Sequence, residues 1–316
     1  MNLKVGIIMD PIESINFKKD SSLALLLEAS YRNYEIYYFE QKDLFIENGK
    51  AIGNSKKLKV FNDENKWFHF DEKKDIELKE LDILLMRIDP PFNLEYIYTT
   101  YILELAQNNG ALIINNPKSL RNFNEKVFTT WFPECGPETL VSKNIEKIKE
   151  FYLKHKDIVC KPLDEMGGSS IFRLTYPDIN ANVVFEVLSN NSKKTMMAQK
   201  YIPEITRGDK RIIVINGNPI PYGLSRIPAE GDLRGNLAKG ASGVAGPLSD
   251  QDILICEKIA PTLKKEGLYL VGLDIIGNYL TEINITSPTC IRQLDSQCNL
   301  NISAIFFDFI ESKLSE

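Results

Sequence analysis

Histidine is nearly missing from this sequence. His69 and His155 are the only two in 316 residues. That leaves too few imidazoles for a His-rich metal centre and confines any Ser-His-Asp relay to one of two positions. Cysteine excludes as much. Cys135, Cys160, Cys256, Cys290 and Cys298 form an odd set with no Cys-x-x-Cys pair. A zinc ribbon and a thioredoxin-like centre are therefore not expected, and free thiols in a reducing cytosol are. No run of 18 apolar residues occurs, so no membrane span is expected. Residues 3–10 lack the basic-then-apolar layout of a signal peptide, which points to a cytoplasmic protein. A positive excess is lacking too: 38 Lys and Arg stand against 43 Asp and Glu, a net charge of −5, so no basic domain grips nucleic acid non-specifically.

What is present is average for a globular chain. Hydrophobic residues at 43% and charged residues at 26% exclude disorder, and 316 residues allow two or three domains. Residues 3–9, 34–39, 81–87 and 111–114 read as strands, with helices from Ser21 and over 96–108. This alternation predicts a doubly wound α/β domain in the first ~120 residues. Such sheets bind ligands beyond the carboxyl ends of their strands. Those ends read Met9-Asp10-Pro11, Arg87-Ile88-Asp89-Pro90-Pro91 and Asn115-Asn116-Pro117, patterns that also occur as ordinary turns. Residues 40–79 suggest hairpins around Asn48-Gly49 and Gly53-Asn54, with the charged run 71–74 a solvated face. Further on, a helix is expected over 119–132, carrying Lys126. Strands are expected at 139–140, 158–161, 171–174, 196–201 and 211–215, and helices at 144–155, 249–266 and 302–314. A closing hairpin, 269–276 with 279–285, turns at Gly277-Asn278.

Three constellations carry chemistry. In the first, Lys161 precedes Asp164-Glu165-Met166-Gly167-Gly168-Ser169-Ser170. Backbone without Cβ approaches phosphate closely, and a lysine adds a point charge. It is not a Walker loop, and alone it reads more readily as a plain hairpin turn. In the second, Glu282 and Asn284 share one strand face, with Asp274 on the partner strand. Their oxygens suit Mg²⁺ bridging phosphates. A regular two-residue turn, however, pairs Ile276 with Tyr279 and sets Asp274 opposite Thr281, leaving Glu282 on the other face. A shared metal therefore demands an odd-length loop or a bulge, either of which pairs Asp274 with Glu282. In the third, residues 227–247 are glycine-rich and poor in apolar side chains, yet they carry Arg234 and Lys239 and follow Arg226. The segment reads as a tolerated insertion or as a lid that orders on ligand.

Together these stretches resemble the prokaryotic glutathione synthetase family of the ATP-grasp superfamily. The resemblance is carried by Lys18-Lys19-Asp20-Ser21-Ser22, Leu85-Met86-Arg87-Ile88-Asp89-Pro90-Pro91, Asn124-Glu125-Lys126, the Lys161–Arg173 stretch, Gly208-Asp209-Lys210-Arg211, Arg226-Ile227-Pro228, Arg234-Gly235-Asn236-Leu237-Ala238, Val271-Gly272-Leu273-Asp274 and Thr281-Glu282-Ile283-Asn284-Ile285-Thr286-Ser287-Pro288-Thr289. It implies a Rossmann-like substrate domain over 1–122, an ATP-grasp lid over 123–202 and an ATP-grasp core over 203–316 with a flexible loop at 227–247. It implies a ligase that joins γ-glutamylcysteine to glycine through an acyl phosphate, using ATP and Mg²⁺ (Mn²⁺ as the alternative ion), in a cytoplasmic homotetramer that engages neither nucleic acid nor membrane. By the same resemblance, Lys126, Lys161, Gly167, Gly168, Ser169, Gln199, Lys200, Tyr201, Ile202 and Asp209 hold ATP. Arg211, Arg226 and Arg234 are catalytic. Lys18, Asp20, Ser21, Arg87, Asp89, Ser287 and Thr289 hold the dipeptide, and Asp274, Glu282 and Asn284 are metal ligands. The sequence departs from the family pattern at Lys239-Gly240-Ala241-Ser242-Gly243, where a glycine pair is usual, and at Glu165, where many members have glycine. Alternative readings are another ATP-grasp carboxylate–amine ligase, a kinase using the same ATP site, or a non-catalytic nucleotide-binding module.

Overall fold

The computed structural model describes residues 2–165, 167–229 and 242–316. The N-terminal part is built on β1 (Lys4–Met9), α1 (Ser21–Tyr31), β2 (Glu35–Phe39), β3 (Leu44–Glu47), β4 (Lys50–Val60), β5 (Phe68–Glu77), β6 (Ile83–Arg87), α2 (Leu94–Asn108), β7 (Leu112–Ile114) and α3 (Pro117–Asn122). Parallel strands run β2-β1-β6-β7, and β4 adds antiparallel to β2 with β3 and β5 beyond it. Both faces of the parallel strands are covered. Val5, Ile7 and Met9 point toward Leu23 and Leu26 of α1, while Ile8, Leu84 and Met86 point toward Tyr96 and Leu103 of α2. That is why these strands read as continuous apolar runs rather than alternating ones. Asp20 caps α1 by accepting from Leu23 N at 2.6 Å, and Asn116 caps α3.

The middle of the chain contributes β8 (Thr139–Ser142), α4 (Ile145–His155), β9 (Asp157–Pro162), β10 (Phe172–Thr175), α5 (Ala181–Leu188) and β11 (Met196–Lys200). Its sheet runs β10-β9-β11-β8. Ile148, Tyr152, Ile158, Cys160 and Phe185 close a hydrophobic cluster of their own there. The last part holds β12 (Asp209–Ile215), β13 (Asn218–Ile227), β14 (Ser242–Pro247), α6 (Asp250–Lys265), β15 (Leu270–Ile276), β16 (Tyr279–Asn284), α7 (Ile291–Cys298) and α8 (Ile302–Leu314). Its antiparallel sheet runs β14-β13-β12-β15-β16. Here the interior is shared with the N-terminal sheet: Ile212 and Val214 join the cluster under α2 and α6, and Ile213 and Ile215 join the one under α1, α7 and α8.

Asn115, at the end of β7, stitches the two sheets together. Its Nδ2 donates to Leu270 O at 2.8 Å and to Ile285 O at 2.7 Å, and its Oδ1 accepts from Tyr269 N at 2.8 Å and Leu270 N at 2.9 Å. The Asn115-Asn116-Pro117 strand end is thus structural, not ligand-facing.

Four sequence expectations need correction. Gly53-Asn54 is not a turn but lies inside β4, where a Cβ on Gly53 would strike the Phe39 ring. The helix expected over 119–132 breaks after Asn122, because the Asn124 side chain accepts from Lys126 N and Val127 N and starts a separate 3₁₀ turn. Lys126 therefore sits at a turn, not on an α-helix. The glycine-rich 227–247 stretch is not all loop, since residues 242–247 pair with 222–227 as β14. The helices α5 and α7 were not anticipated.

Candidate active site

One cavity of about 550 Å³ opens where the three sheets meet. Its floor is set by strand register. Arg211 lies opposite Asp274 across β12 and β15, and Asp209 lies opposite Arg226 across β12 and β13. The β15–β16 hairpin turns regularly at Ile276↔Tyr279, then gains one residue, so that Asp274 pairs with Glu282 and Gly272 with Asn284. Of the two devices that would let these residues share a metal, an odd-length loop or a bulge, the hairpin has the bulge, with Thr281 as the added residue. Thr281 Oγ1 donates to Asp274 O at 3.1 Å, which holds the irregular step in place.

Charge on this floor is tightly matched. Both Asp274 oxygens accept from Arg211, through Nε and, at 2.9 Å, through Nη2. Arg226 Nη2 reaches Asp274 Oδ2 at 2.8 Å and Asp209 Oδ2 at 2.5 Å. Burial alone would raise the Asp274 carboxyl, but the two guanidiniums outweigh it and hold the group below its ordinary range. Asp209 goes the other way. Burial pushes it up to about 6 against the pull of Arg226, and Asp274 and Glu282 add to the rise. The difference is one of partners: Asp274 has two guanidiniums, whereas Asp209 has one and its Oδ1 is buried without a hydrogen bond among the described residues. Gly272 makes room for this arrangement. A Cβ there would stand 2.9 Å from Arg211 Cδ and 3.1 Å from Pro288 Cβ. Gly272→Ala is expected to displace Arg211, costing about 1–3 kcal/mol of stability and at least roughly tenfold in turnover. Urea unfolding and steady-state kinetics on the same preparation check both.

Two lysines face the floor. Lys126 Nζ donates to Glu165 O at 2.6 Å and stands 3.6 Å from Glu282 Oε1. Lys161, on β9, is only 5% exposed, and its ammonium has no hydrogen bond or ion pair among the described residues. Burial pulls its pKa down, the nearby Lys126 adding to the fall and Glu282 opposing it. A buried ammonium without a partner marks a place for an anion. Gly167 and Gly168, at φ of 67° and 76°, and Ser169 line the cavity beside it, a backbone conformation that favours glycine. Gln199, Lys200, Tyr201 and Ile202 form the wall at the end of β11. The Arg173 guanidinium covers the Tyr201 ring at 3.6 Å and is held by Asp157.

The donor set suits Mg²⁺. Asp274 and Glu282 are register partners and Asn284 lies two residues along the same face, so three hard oxygen donors adjoin one another. Asp274 Oδ1 keeps a lone pair beyond the Arg211 bond. The third donor is an amide, and no cluster of three His, Cys, Asp or Glu occurs among the described residues.

On the dipeptide side the structure brings Asp20, Asp89, Ser287 and Thr289 to the cavity, and it separates the other three. Lys18 is exposed and pairs with Glu64 at 3.1 Å; Lys19 lines the cavity instead. Ser21 is buried, its Oγ accepting from Ile291 N at 3.1 Å. Arg87 is 4% exposed and lies beneath the wall, donating to Ser22 Oγ at 3.1 Å and to Pro288 O at 2.8 Å. Arg234 falls outside the described residues, as do residues 230–241 of the 227–247 loop. Sequence reasoning missed Glu125 and Gln293. Glu125 accepts from Ile285 N, Thr286 N and Thr286 Oγ1, anchoring the strand end after Asn284. Its only sequence signal was its place beside Lys126.

Comparison with known proteins completes the description. Residues 3–121 match the prokaryotic glutathione synthetase N-terminal domain, and residues 125–299 match the ATP-grasp domain of the same family. The chain is 54% identical over 312 residues to the glutathione synthetase of Vibrio parahaemolyticus, covering 99% of each chain. It is 54% identical over 314 residues to that of Shewanella oneidensis, covering 99% of this chain and 100% of the relative. Among solved structures, the ATP-grasp ligase PsnB in complex with a minimal precursor, Mg and ADP aligns with a TM-score of 0.64 at 15% identity, over 99% of this chain and 98% of that one. The D-cycloserine synthetase DcsG aligns with a TM-score of 0.66 at 11% identity, over 97% and 99%. At those identities the structures share the fold.

Proposed function

The chain belongs to the prokaryotic glutathione synthetase family and is an ATP-dependent ligase that makes glutathione, and from that premise we propose how its residues carry the reaction. The observation that supports the assignment best is the Lys161 ammonium, without a hydrogen bond or ion pair among the described residues and buried in the wall that Lys126, Gly167 and Gly168 share. Lys126 and Lys161 hold phosphate oxygens of ATP, with Ser169 and the Gly167-Gly168 backbone closing over them. Gln199, Lys200, Tyr201 and Ile202 line the base. Residues 1–122 form the substrate domain, 123–202 the lid and 203–316 the core.

The chemistry is an activation followed by a displacement. The cysteinyl carboxylate oxygen attacks the γ-phosphorus of ATP and ADP leaves. The glycine amine then attacks the acyl carbon, loses a proton, and phosphate departs with one former carboxylate oxygen. Arg211 and Arg226 are fixed by Asp274 and Asp209, and the Nη1 of each has no hydrogen bond among the described residues. Those two N–H groups are the donors for the tetrahedral oxyanion, held in place before the charge develops. Asp274, Glu282 and Asn284 would hold Mg²⁺, which when bound offsets negative charge on the phosphoryl oxygens.

The test is an ADP-release assay with γ-glutamylcysteine whose cysteinyl carboxylate carries ¹⁸O. The expected result is turnover that needs both dipeptide and glycine, with one label delivered to phosphate. ADP release without glycine and without label transfer would overturn the reading in favour of a kinase or a simple hydrolase. The same reading places the protein in the cytoplasm as a homotetramer, which sedimentation would report as about four times the 36.0 kDa chain mass.

A further inference from the structure

Gln293 lies in the first turn of α7, where buried Ile291 and Leu294 fix the inward side of the helix. Gln293 lines the cavity, yet its Oε1 is closed off from solvent and has no hydrogen-bond partner among the described residues. A buried amide oxygen in that state is unfavourable unless a ligand donates to it. Three other side chains share this part of the wall without ion pairs among the described residues: Lys19, Asp20 and Asp89. Asp20 uses one oxygen to cap α1. Arg87 is buried behind the two carboxylates and raises no side chain into the cavity, being tied to Ser22 and Pro288. Behind this wall Asp10 adds a carboxylate beside Asp89, and Arg292 adds a guanidinium beside Asp20. With Lys19 and Arg87 the charges sum to zero, so this end matches a neutral zwitterion rather than a net ion.

γ-Glutamylcysteine carries such a zwitterion at one end only. Its γ-linked glutamyl head keeps a free α-ammonium and a free α-carboxylate, while the carboxylate to be activated is on the cysteine. The reacting end is directed to Arg211, Arg226 and the two lysines, so the head falls to the wall built by the N-terminal part and α7. We propose that Gln293 is a specificity-determining residue that accepts a hydrogen bond from the α-ammonium of this head, alongside Asp20 and Asp89, with Lys19 facing the α-carboxylate. The proposal rests on the ligase reading above and adds the direction in which the dipeptide lies. It also moves carboxylate recognition from Lys18 to its neighbour Lys19.

The experiment compares γ-glutamylcysteine with N-glutarylcysteine, which lacks only the α-amino group, in wild type, Gln293→Leu and Gln293→Glu. In wild type the KM for N-glutarylcysteine is expected to lie at least about tenfold above that for the natural dipeptide. In Gln293→Leu the KM for γ-glutamylcysteine rises roughly tenfold, kcat and the KM for ATP stay within about twofold, and the gap between the two substrates narrows by the same factor. Gln293→Glu keeps an oxygen acceptor and keeps the gap. An unchanged gap in Gln293→Leu, or a gap lost in Gln293→Glu, overturns the proposal. Wild type that fails to join γ-glutamylcysteine to glycine would instead strike the ligase reading itself.

Discussion

Replacing Glu282 with alanine is expected to lower glutathione formation about a thousandfold and leave thermal unfolding within a few degrees of wild type. A thousandfold corresponds to about 4 kcal/mol of transition-state stabilisation, the size associated with losing a preorganised charge at a phosphoryl-transfer site. The fold is spared for a local reason. Glu282 is the least buried member of the acidic pair, its nearest cation, Lys126, stands 3.6 Å away, and the Asp274 carboxylate stays fully matched by Arg211 and Arg226. Turnover within tenfold of wild type would remove Glu282 from the proposed metal ligands. Unfolding of the variant would show instead that the pair holds the hairpin together.

The second large effect is on stability. Asn115→Leu should destabilise the protein by about 4 kcal/mol and lower its melting temperature by roughly 10 °C. The side chain is buried and serves two backbone carbonyls and two backbone N–H groups, none of which regains a partner when leucine takes its place. Those groups belong to residues 269–270 and 285, which bracket the hairpin carrying Asp274 and Glu282. Asn115→Asp keeps the acceptor and loses both donors, so an intermediate loss is expected. Calorimetry of the three proteins separates the contributions, and a leucine variant melting within 2 °C of wild type would show that Asn115 is not the stitch described.

The parts legible in the sequence were those where one physical period dominates. The parallel strands around Ile7, Leu84 and Ile113 are buried on both faces and announce themselves as apolar runs. The need for an odd-length loop or a bulge between Asp274 and Glu282 followed from the two-residue period of a strand; which of the two occurs did not. Side-chain direction in irregular backbone was not legible. Lys18 and Lys19 are adjacent, precede the cap of α1, and differ only in which way each turns, something no periodicity decides. The α5 helix did carry a signal, with Ala181, Val184, Phe185 and Leu188 at helical spacing, but at eight residues the pattern is short. The α7 helix lacked an ordinary start: Cys290 precedes it in the left-handed region at φ 88°, where no Ser, Thr, Asp or Asn marks an N-cap. Gln293 was missed for that reason.

The single residue Thr281 has a consequence for how this hairpin tolerates change in length. Seven residues separate Asp274 from Glu282, an odd number that puts both carboxylates on one side of the sheet. Deleting or inserting one residue between them swaps parity. Glu282 and Asn284 would then turn into the apolar layer, and Ile283 would turn into the cavity. Adding or removing two residues preserves the arrangement. Length variation at this turn should therefore be inherited in pairs or not at all, a constraint that acts on the count of residues and not on their identity.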